Sequence, residues 1–322
     1  MITSKRVCPQ CHNDLPGGYA NMHGRIIALV GPKTSGKSTY TTILVRELRT
    51  RVGNAFDSAV NVMDDRTAAE YADRERRLYD EGQLPAATAP AGTDLVYPLL
   101  FRFTLRVRRF LRTRSRSSSL VFFDTAGEDL ETADSTARHV HYLAEADGII
   151  LLVDPLQFGP VRDALNGRVT DMPKQGTPPD RIVAIIGQLI RDRRNRSGGS
   201  RLDIPLAVAL TKVDLLPPLL DEGSRLLRCA WHDGALDRAD LREVDDEVRA
   251  HLQDWDEGAL RRQVEADFSR HAFFALSALG GEPDMQDHGK TTPKGGIRPI
   301  RPEDPVLWLF HLFGLIRAKK EH

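Results

Sequence analysis

Short apolar segments alternate with longer amphipathic segments along the chain. Apolar runs bounded by glycine or polar residues are typical of strands, and they occur at residues 25–30, 99–111, 119–127, 148–155, 205–214 and 272–278. Apolar spacing and charge pattern predict helices over residues 37–51, 66–81, 132–144, 181–194 and 305–316, and over most of 221–270. Because strands and helices alternate, we expect an α/β fold with a mainly parallel sheet flanked by helices.

The segment from 99 to 127 has a pattern of its own. Apolar and basic residues alternate over 99–111, so this run and 119–127 predict a hairpin whose turn is the Arg/Ser tract at 112–119. We interpret its arginines as the solvated face of an edge strand, rather than as a contact for acidic protein, lipid headgroups or nucleic acid. They are Arg102, Arg106, Arg108, Arg109, Arg112, Arg114 and Arg116.

Two loops and the last helix complete this prediction. Residues 84–93 and 156–180 have no regular pattern and are predicted loops. The closing helix at 305–316 is nearly continuously apolar, and we expect it to pack on the sheet rather than to lie on a membrane surface.

Composition narrows the class of protein. The 322 residues include 45 basic and 45 acidic ones, so no overall field favours nucleic acid as an obligatory partner. No apolar run reaches the roughly 18 residues of a membrane span, and we expect a cytoplasmic protein without a transmembrane segment. The three cysteines, at positions 8, 11 and 229, do not form a disulfide framework.

A phosphate-binding loop is predicted between the first strand and the first helix. Residues 31–38, GPKTSGKS, match G-x-x-x-x-G-K-[ST] in the strand-to-helix context that this motif requires. Backbone N–H groups and Lys37 would hold phosphate oxygens, and the Ser38 hydroxyl would ligate Mg²⁺. Lys33 is an extra cation in this loop, and we expect it to point to solvent. The predicted contacts are Gly31, Lys33, Thr34, Ser35, Gly36, Lys37, Ser38 and Thr39.

A second acidic motif follows the strand at 119–127. Asp124-Thr125-Ala126-Gly127 ends an apolar run, where the Asp124 carboxylate can reach the Mg²⁺ shell and the Gly127 N–H can contact a γ-phosphate. A threonine from the loop before this hairpin would be a further Mg²⁺ ligand, and Thr88 is a better candidate than Thr93.

Two further motifs follow later strands. Thr211-Lys212-Val213-Asp214 resembles the NKxD base-recognition motif of GTPases, with Thr in place of Asn. By that resemblance, Asp214 accepts hydrogen bonds from the guanine N1–H and amine, and the Lys212 stem covers the base. Ser277, Ala278 and Leu279 resemble the base-supporting loop of the same proteins.

Taken in order, these motifs resemble the TRAFAC class of P-loop GTPases. The GPKTSGKST loop behind a Cys-Pro-x-Cys-His start is similar, more specifically, to bacterial double-GTPase domains of the second type. The resemblance implies a GTP/GDP-binding switch that hydrolyses GTP with Mg²⁺ in bacterial signalling or defence. It also implies a protein effector, a homodimer or pairing with a second GTPase. The implied catalytic residues are Lys37, Thr88, Gly127 and Glu128.

Two alternatives stay open on the residues. Glu128 stands where many relatives place a water-positioning Gln, so a nucleotide-binding adaptor with little turnover is one alternative. A P-loop ATPase or kinase, in which the resemblance at 211–214 is accidental, is the other.

The predicted domain organisation is one large domain with a small appendage. The nucleotide domain covers 24–320, with insertions at about 52–98 and 215–270. The appendage covers 1–23 and contains Cys8 and Cys11, half of a zinc knuckle, with His12 and His23 nearby. Because a second cysteine pair is absent, a metal-free turn is favoured over a Zn²⁺ site.

Overall fold

The computed structural model describes residues 6–7, 14–15, 23–32, 35–85, 98–109, 112–124, 143–195, 199–229, 232–286 and 289–320. Its main feature is a seven-stranded sheet, in the order β2-β3-β4-β1-β5-β6-β7. The strands are β1 His23–Val30, β2 Ser58–Val62, β3 Leu99–Arg109, β4 Arg112–Asp124, β5 Gly148–Val153, β6 Leu206–Leu210 and β7 His271–Ala275. From β4 to β7 all neighbours are parallel, whereas β2, β3 and β4 pair antiparallel.

Helices connect these strands. They are α1 Lys37–Arg49, α2 Arg51–Phe56, α3 Asp65–Tyr79, α4 Gly159–Leu165, α5 Pro179–Arg193, α6 Arg238–Asp254, α7 Gly258–Asp267 and α8 Asp304–Leu312. Short 3₁₀ turns occupy Pro155–Gln157, Val213–Leu215, Pro217–Leu219 and Arg225–Leu227. Two small antiparallel pairs, Arg6–Val7 with Asp14–Leu15 and Asp284–Gln286 with Gly289–Thr291, lie outside the main sheet.

The sheet is covered on both faces, as a mainly parallel sheet requires. Alternate residues of β1 enter two separate apolar clusters, because successive side chains of a strand point to opposite faces. Ile27 and Leu29 pack with apolar residues of α1 and α8, whereas Ala28 and Val30 lie in the cluster that contains those of α5 and α7. The central strands β5 and β6 are therefore buried at every position, and the predicted α/β fold is confirmed.

The closing helix packs as predicted. Leu307, Leu309 and Phe310 of α8 are buried. A Cβ built on Gly148, at the start of β5, would lie 2.8 Å from a methyl group of Leu309, so helix and strand approach closely at this point.

The predicted turn at 112–119 is wrong. Cross-strand pairs run without interruption from Leu99 with Phe122 to Arg109 with Arg112, so the reversal lies between Arg109 and Arg112. The predicted edge strand is also wrong for the first half of β3, because β2 pairs with residues 101–105. Among the described residues, 106–109 pair as a strand only with 112–115, beyond the last residue that pairs with β2. We call this segment the arginine ribbon. Ser115 and the adjoining Arg116 are exposed to solvent, so polar residues can occupy strand positions in this part of β4.

Other elements differ in part. The predicted loop at 156–180 contains α4, which is short and buries Val161 and Leu165. Only residues 143–144 of the predicted helix at 132–144 are among those described. The proposed boundary of the appendage at residue 23 stays a prediction.

Candidate functional site

The motif residues gather at one edge of the sheet. The parallel strands end at Val30, Asp124, Val153, Leu210 and Ala275. Parallel strands in register bring these ends together, and ligands of open α/β sheets bind in the crevice outside them.

The loop between β1 and α1 is shaped by two glycines. A Cβ on Gly31 would lie 2.6 Å from the Ser35 Oγ and 2.8 Å from the Leu152 carbonyl oxygen, so only glycine fits beside β5. Gly36 has φ 82°, in the left-handed region that favours glycine, and it precedes the first residue of α1. Lys33 and Thr34 lie outside the described residues.

The Lys37 side chain folds back over this loop. Its ammonium group donates hydrogen bonds to the carbonyl oxygens of Gly31 at 2.8 Å and Pro32 at 3.0 Å. The side chain is buried, with 7% of the residue exposed. A cation is thus held in the loop at the N-terminus of α1, where an anion is favoured by both the helix dipole and the ammonium charge.

Two residues with oxygen-bearing side chains belong to elements next to this loop, α1 and β4. Ser38 lies in the first turn of α1 and is half-buried, as is Thr39, while Asp124 pairs in register with Leu29 on the neighbouring strand. Hydroxyl and carboxylate oxygens are ligands that Mg²⁺ prefers, usually together with waters and substrate phosphates. The donor types of Ser38 and Asp124 match those of a Mg²⁺ ion whose other ligands come from a nucleotide.

Several predicted site residues cannot be placed. Thr88, Thr93, Gly127, Glu128, Cys8, Cys11 and His12 lie outside the described residues. Within the part of the chain that is described, no cluster of three or more His, Cys, Asp or Glu side chains could hold a metal ion.

Lys212 is held by a carboxylate that the sequence analysis did not assign to the site. Its backbone is left-handed, with φ 55°, and its ammonium group lies 2.5 Å from Asp154 Oδ2. Asp154 follows β5 directly, its side chain is fully buried, and Oδ1 accepts a hydrogen bond from the Leu156 N–H at 3.0 Å. Thr211 donates from its N–H to the Val153 carbonyl oxygen at 2.8 Å. The only sequence signal for Asp154 is its place at a strand end.

Asp214 meets the Ser277 loop. Burial raises the pKa of Asp214 above its usual value, although a hydrogen bond with the Ser277 side chain acts in the opposite direction. The Ser277 hydroxyl also accepts from the Gly280 N–H at 2.8 Å, and the Val213 N–H donates to the Leu276 carbonyl oxygen at 3.3 Å. The structure thus brings the 211–214 and 277–280 loops into direct contact.

The comparison with protein families agrees with this arrangement. The sequence model of the Double-GTPase 2 family matches residues 25–288. The chain belongs to the Double-GTPase 2 family. The predicted family and the P-loop α/β fold are therefore confirmed, and guanine-nucleotide binding is supported at the level of the family.

One relative matches nearly the whole chain. SaeC of Mycolicibacterium smegmatis, named as an ESX-1 scaffolding and assembly protein, is 30% identical over 332 aligned positions. The alignment covers 96% of this Double-GTPase 2 chain and 80% of SaeC.

Solved structures similar to the chain include three GTPases or GTPase-like domains. The GTPase-like domain of Ski7 from S. cerevisiae has a TM-score of 0.36 and 15% identity, covering 93% of this chain and 51% of that one. Arl6 from Trypanosoma brucei has a TM-score of 0.34 and 13% identity, covering 90% and 98%. The signal recognition particle receptor complex SRb–GTP/SRX from Chaetomium thermophilum has a TM-score of 0.33 and 13% identity, covering 81% and 94%.

Among the described residues, no helix combines the length and the apolar composition that crossing a bilayer requires.

Proposed function

We propose that this Double-GTPase 2 chain is a cytoplasmic switch that binds GTP and GDP and hydrolyses GTP with Mg²⁺. The observation that carries the proposal is the position of Asp214. Its carboxylate is partly withdrawn from water at the carboxyl edge of the sheet, in contact with Ser277. Asp214 and the lysine-bearing loop follow β6 and β1 at the same edge of the sheet, which supports an acceptor for a base near a cation for phosphate.

Guanine selectivity would come from the carboxylate. Ionised Asp214 offers only acceptors, which match the N1–H and the exocyclic amine of guanine. Adenine has no such pair of donors on that edge, and an unpaired carboxylate beside it would be costly. The Lys212 stem would cover the base while Asp154 holds its ammonium group.

Phosphate binding would rearrange the loop after β1. The Lys37 ammonium group now bonds to two carbonyl oxygens of its own loop, and phosphate oxygens would take over those bonds. Ser38 and Asp124 would hold Mg²⁺, which neutralises charge on the β- and γ-phosphates when bound. We propose Gly127 as the contact to the γ-phosphate, Glu128 as the residue beside the attacking water, and Thr88 as the switch ligand.

Glu128 favours a second candidate function. A carboxylate close to the γ-phosphate repels it, so turnover would be slow without a partner, and an adaptor that binds GTP with little hydrolysis is the alternative. The scaffolding and assembly role in the name of SaeC supports a protein partner for either function. A homodimer or a second GTPase would be such a partner in bacterial signalling.

The proposal is tested by nucleotide selectivity. Wild type should bind GDP and GTP at least about tenfold more tightly than ADP and ATP. Asp214→Asn should weaken GDP binding about tenfold to a hundredfold and favour xanthosine diphosphate, because an amide presents a donor to the C2 carbonyl. Unchanged preference would refute the base assignment. Phosphate release with and without added protein partners then separates a GTPase from an adaptor.

A further inference from the structure

A short segment after the small hairpin runs beside the Ser277 loop. The Ser277 N–H donates to the Ile300 carbonyl oxygen at 2.9 Å, and the Ile300 N–H donates back to Ser277 at 2.8 Å. The Arg298 N–H donates to the Leu279 carbonyl oxygen at 2.8 Å. These three bonds form a short antiparallel ladder along the Ser277 loop. We call residues 298–304 the strap.

Gly280 allows the strap to lie this close. It has φ 73°, and a Cβ there would overlap the carbonyl oxygen of Arg298. The Gly280 N–H also donates to the Ser277 hydroxyl, which bonds to Asp214. A displacement of the strap at Gly280 would therefore move the serine that orients the carboxylate.

Buried charges anchor the far end of the strap. Arg301 has φ 51° and a fully buried side chain, whose guanidinium pairs with Asp240 and, at 2.6 Å, with Asp304. It also donates to the Arg228 carbonyl oxygen at 2.8 Å. Burial would raise the pKa of Asp304, but Arg301 and a hydrogen bond with His232 hold it below its usual value. Such a paired cluster fixes the backbone because each group would be costly to leave unpaired.

The strap also reaches the helix that follows the phosphate loop. The Tyr40 hydroxyl, one turn after Lys37, donates to the Pro302 carbonyl oxygen at 3.0 Å. Arg51 pairs with Glu303 at 2.5 Å. One segment thus bonds both to the loop next to Asp214 and to α1.

We propose that the strap sets guanine specificity by positioning Ser277, with Gly280 and Arg301 as positioning residues. This inference rests on the proposed function, because it assigns Asp214 to the base. The backbone bonds of the strap go to residues 277 and 279, in the loop that meets Asp214, so its effect on binding should appear in the selection of the base.

Two glycines give a matched test. Gly280→Ala introduces the overlap with Arg298, whereas Gly296→Ala introduces the same left-handed strain, at φ 76°, with no atom within 4 Å of the new Cβ. The full chain is titrated with GDP and with inosine diphosphate, which lacks the exocyclic amine. Wild type should prefer GDP about tenfold or more. Gly280→Ala should reduce this ratio to about threefold or less, and Gly296→Ala should preserve it.

The outcomes separate the inference from the function on which it rests. A wild type that does not prefer GDP to inosine diphosphate contradicts the base assignment itself. A wild type that does prefer GDP, with Gly280→Ala losing affinity equally for both nucleotides or for neither, overturns the strap inference alone.

If Gly280→Ala does not fold, a measurement on wild type still tests the inference. Amide hydrogen exchange at Ser277, Arg298 and Ile300 should slow at least about threefold with saturating GDP and stay unchanged with pyrophosphate. Equal protection by both ligands, or none by GDP, would overturn the inference.

Discussion

In the Asp154–Lys212 pair, removing the lysine should destabilise the protein more than removing the carboxylate charge. The Asp154 side chain is fully buried, while 30% of the Lys212 side chain is exposed, and their charged atoms lie 2.5 Å apart. Asp154→Asn keeps an amide oxygen for the Leu156 N–H, and the released lysine can turn to solvent. Lys212→Met instead leaves a buried carboxylate without its counter-charge, which is the more expensive loss.

The burial of the two side chains sets the expected changes in the free energy of unfolding. Asp154→Asn should lower the free energy of unfolding by about 1–2 kcal/mol, the range of a charge-assisted hydrogen bond reduced by partial exposure. Lys212→Met should cost about 3 kcal/mol, and the double variant should recover about 1–2 kcal/mol of the summed loss.

Urea unfolding of wild type, the two single variants and the double variant, at pH 7 without nucleotide, gives the coupling energy between Asp154 and Lys212. A coupling energy below about 0.3 kcal/mol would refute the interaction, since the effects of substitutions at independent sites add only to within about that amount. An Asp154→Asn variant less stable than Lys212→Met would refute the assignment of the buried charge.

Two further predictions concern pH. Burial raises the pKa of Asp214, and guanine binding stabilises its anion. GDP affinity should therefore be constant above this pKa and fall about tenfold per pH unit below it. An equally steep fall in GDP affinity for Asp214→Asn would contradict this prediction. The pKa of Asp304 is lowered by Arg301 and His232 against the effect of burial, so its stabilisation is present above the unfolded pKa, near 4, and lost as pH falls further. Acid unfolding of Asp304→Asn should accordingly start from a lower stability and fall less steeply below about pH 4, and parallel curves would count against the pairing.

The sheet was largely predictable because its strands are buried on both faces. β5 and β6 are apolar at every position, so their pattern needs no knowledge of neighbours. The arginine ribbon was not predictable in the same way. Its Arg/Ser tract suggests a turn locally, and only the continued pairing with β3 holds it in a strand. Pairing partners are a tertiary property, which overrides local propensity.

The candidate site likewise contains residues that local sequence predicts and residues that it does not. The lysine-bearing loop was predicted from its spacing, and the motifs at 211–214 and 277–279 were predicted by resemblance. The structure places their described residues at one edge of the sheet. Asp154 and Arg301 were missed because their partners lie far away in sequence, 58 positions for Lys212 and 61 for Asp240. Nothing around Arg301 distinguishes it from a solvated arginine until the fold surrounds it with carboxylates.

The arginine ribbon has a consequence for how the molecule divides its surface. β4 runs from Arg112 in the ribbon to Asp124 at the nucleotide edge, and its 13 residues span about 40 Å. The two ends of this one strand therefore lie about a strand length apart. A ligand bound at residue 112 and a nucleotide bound beside residue 124 would not touch each other.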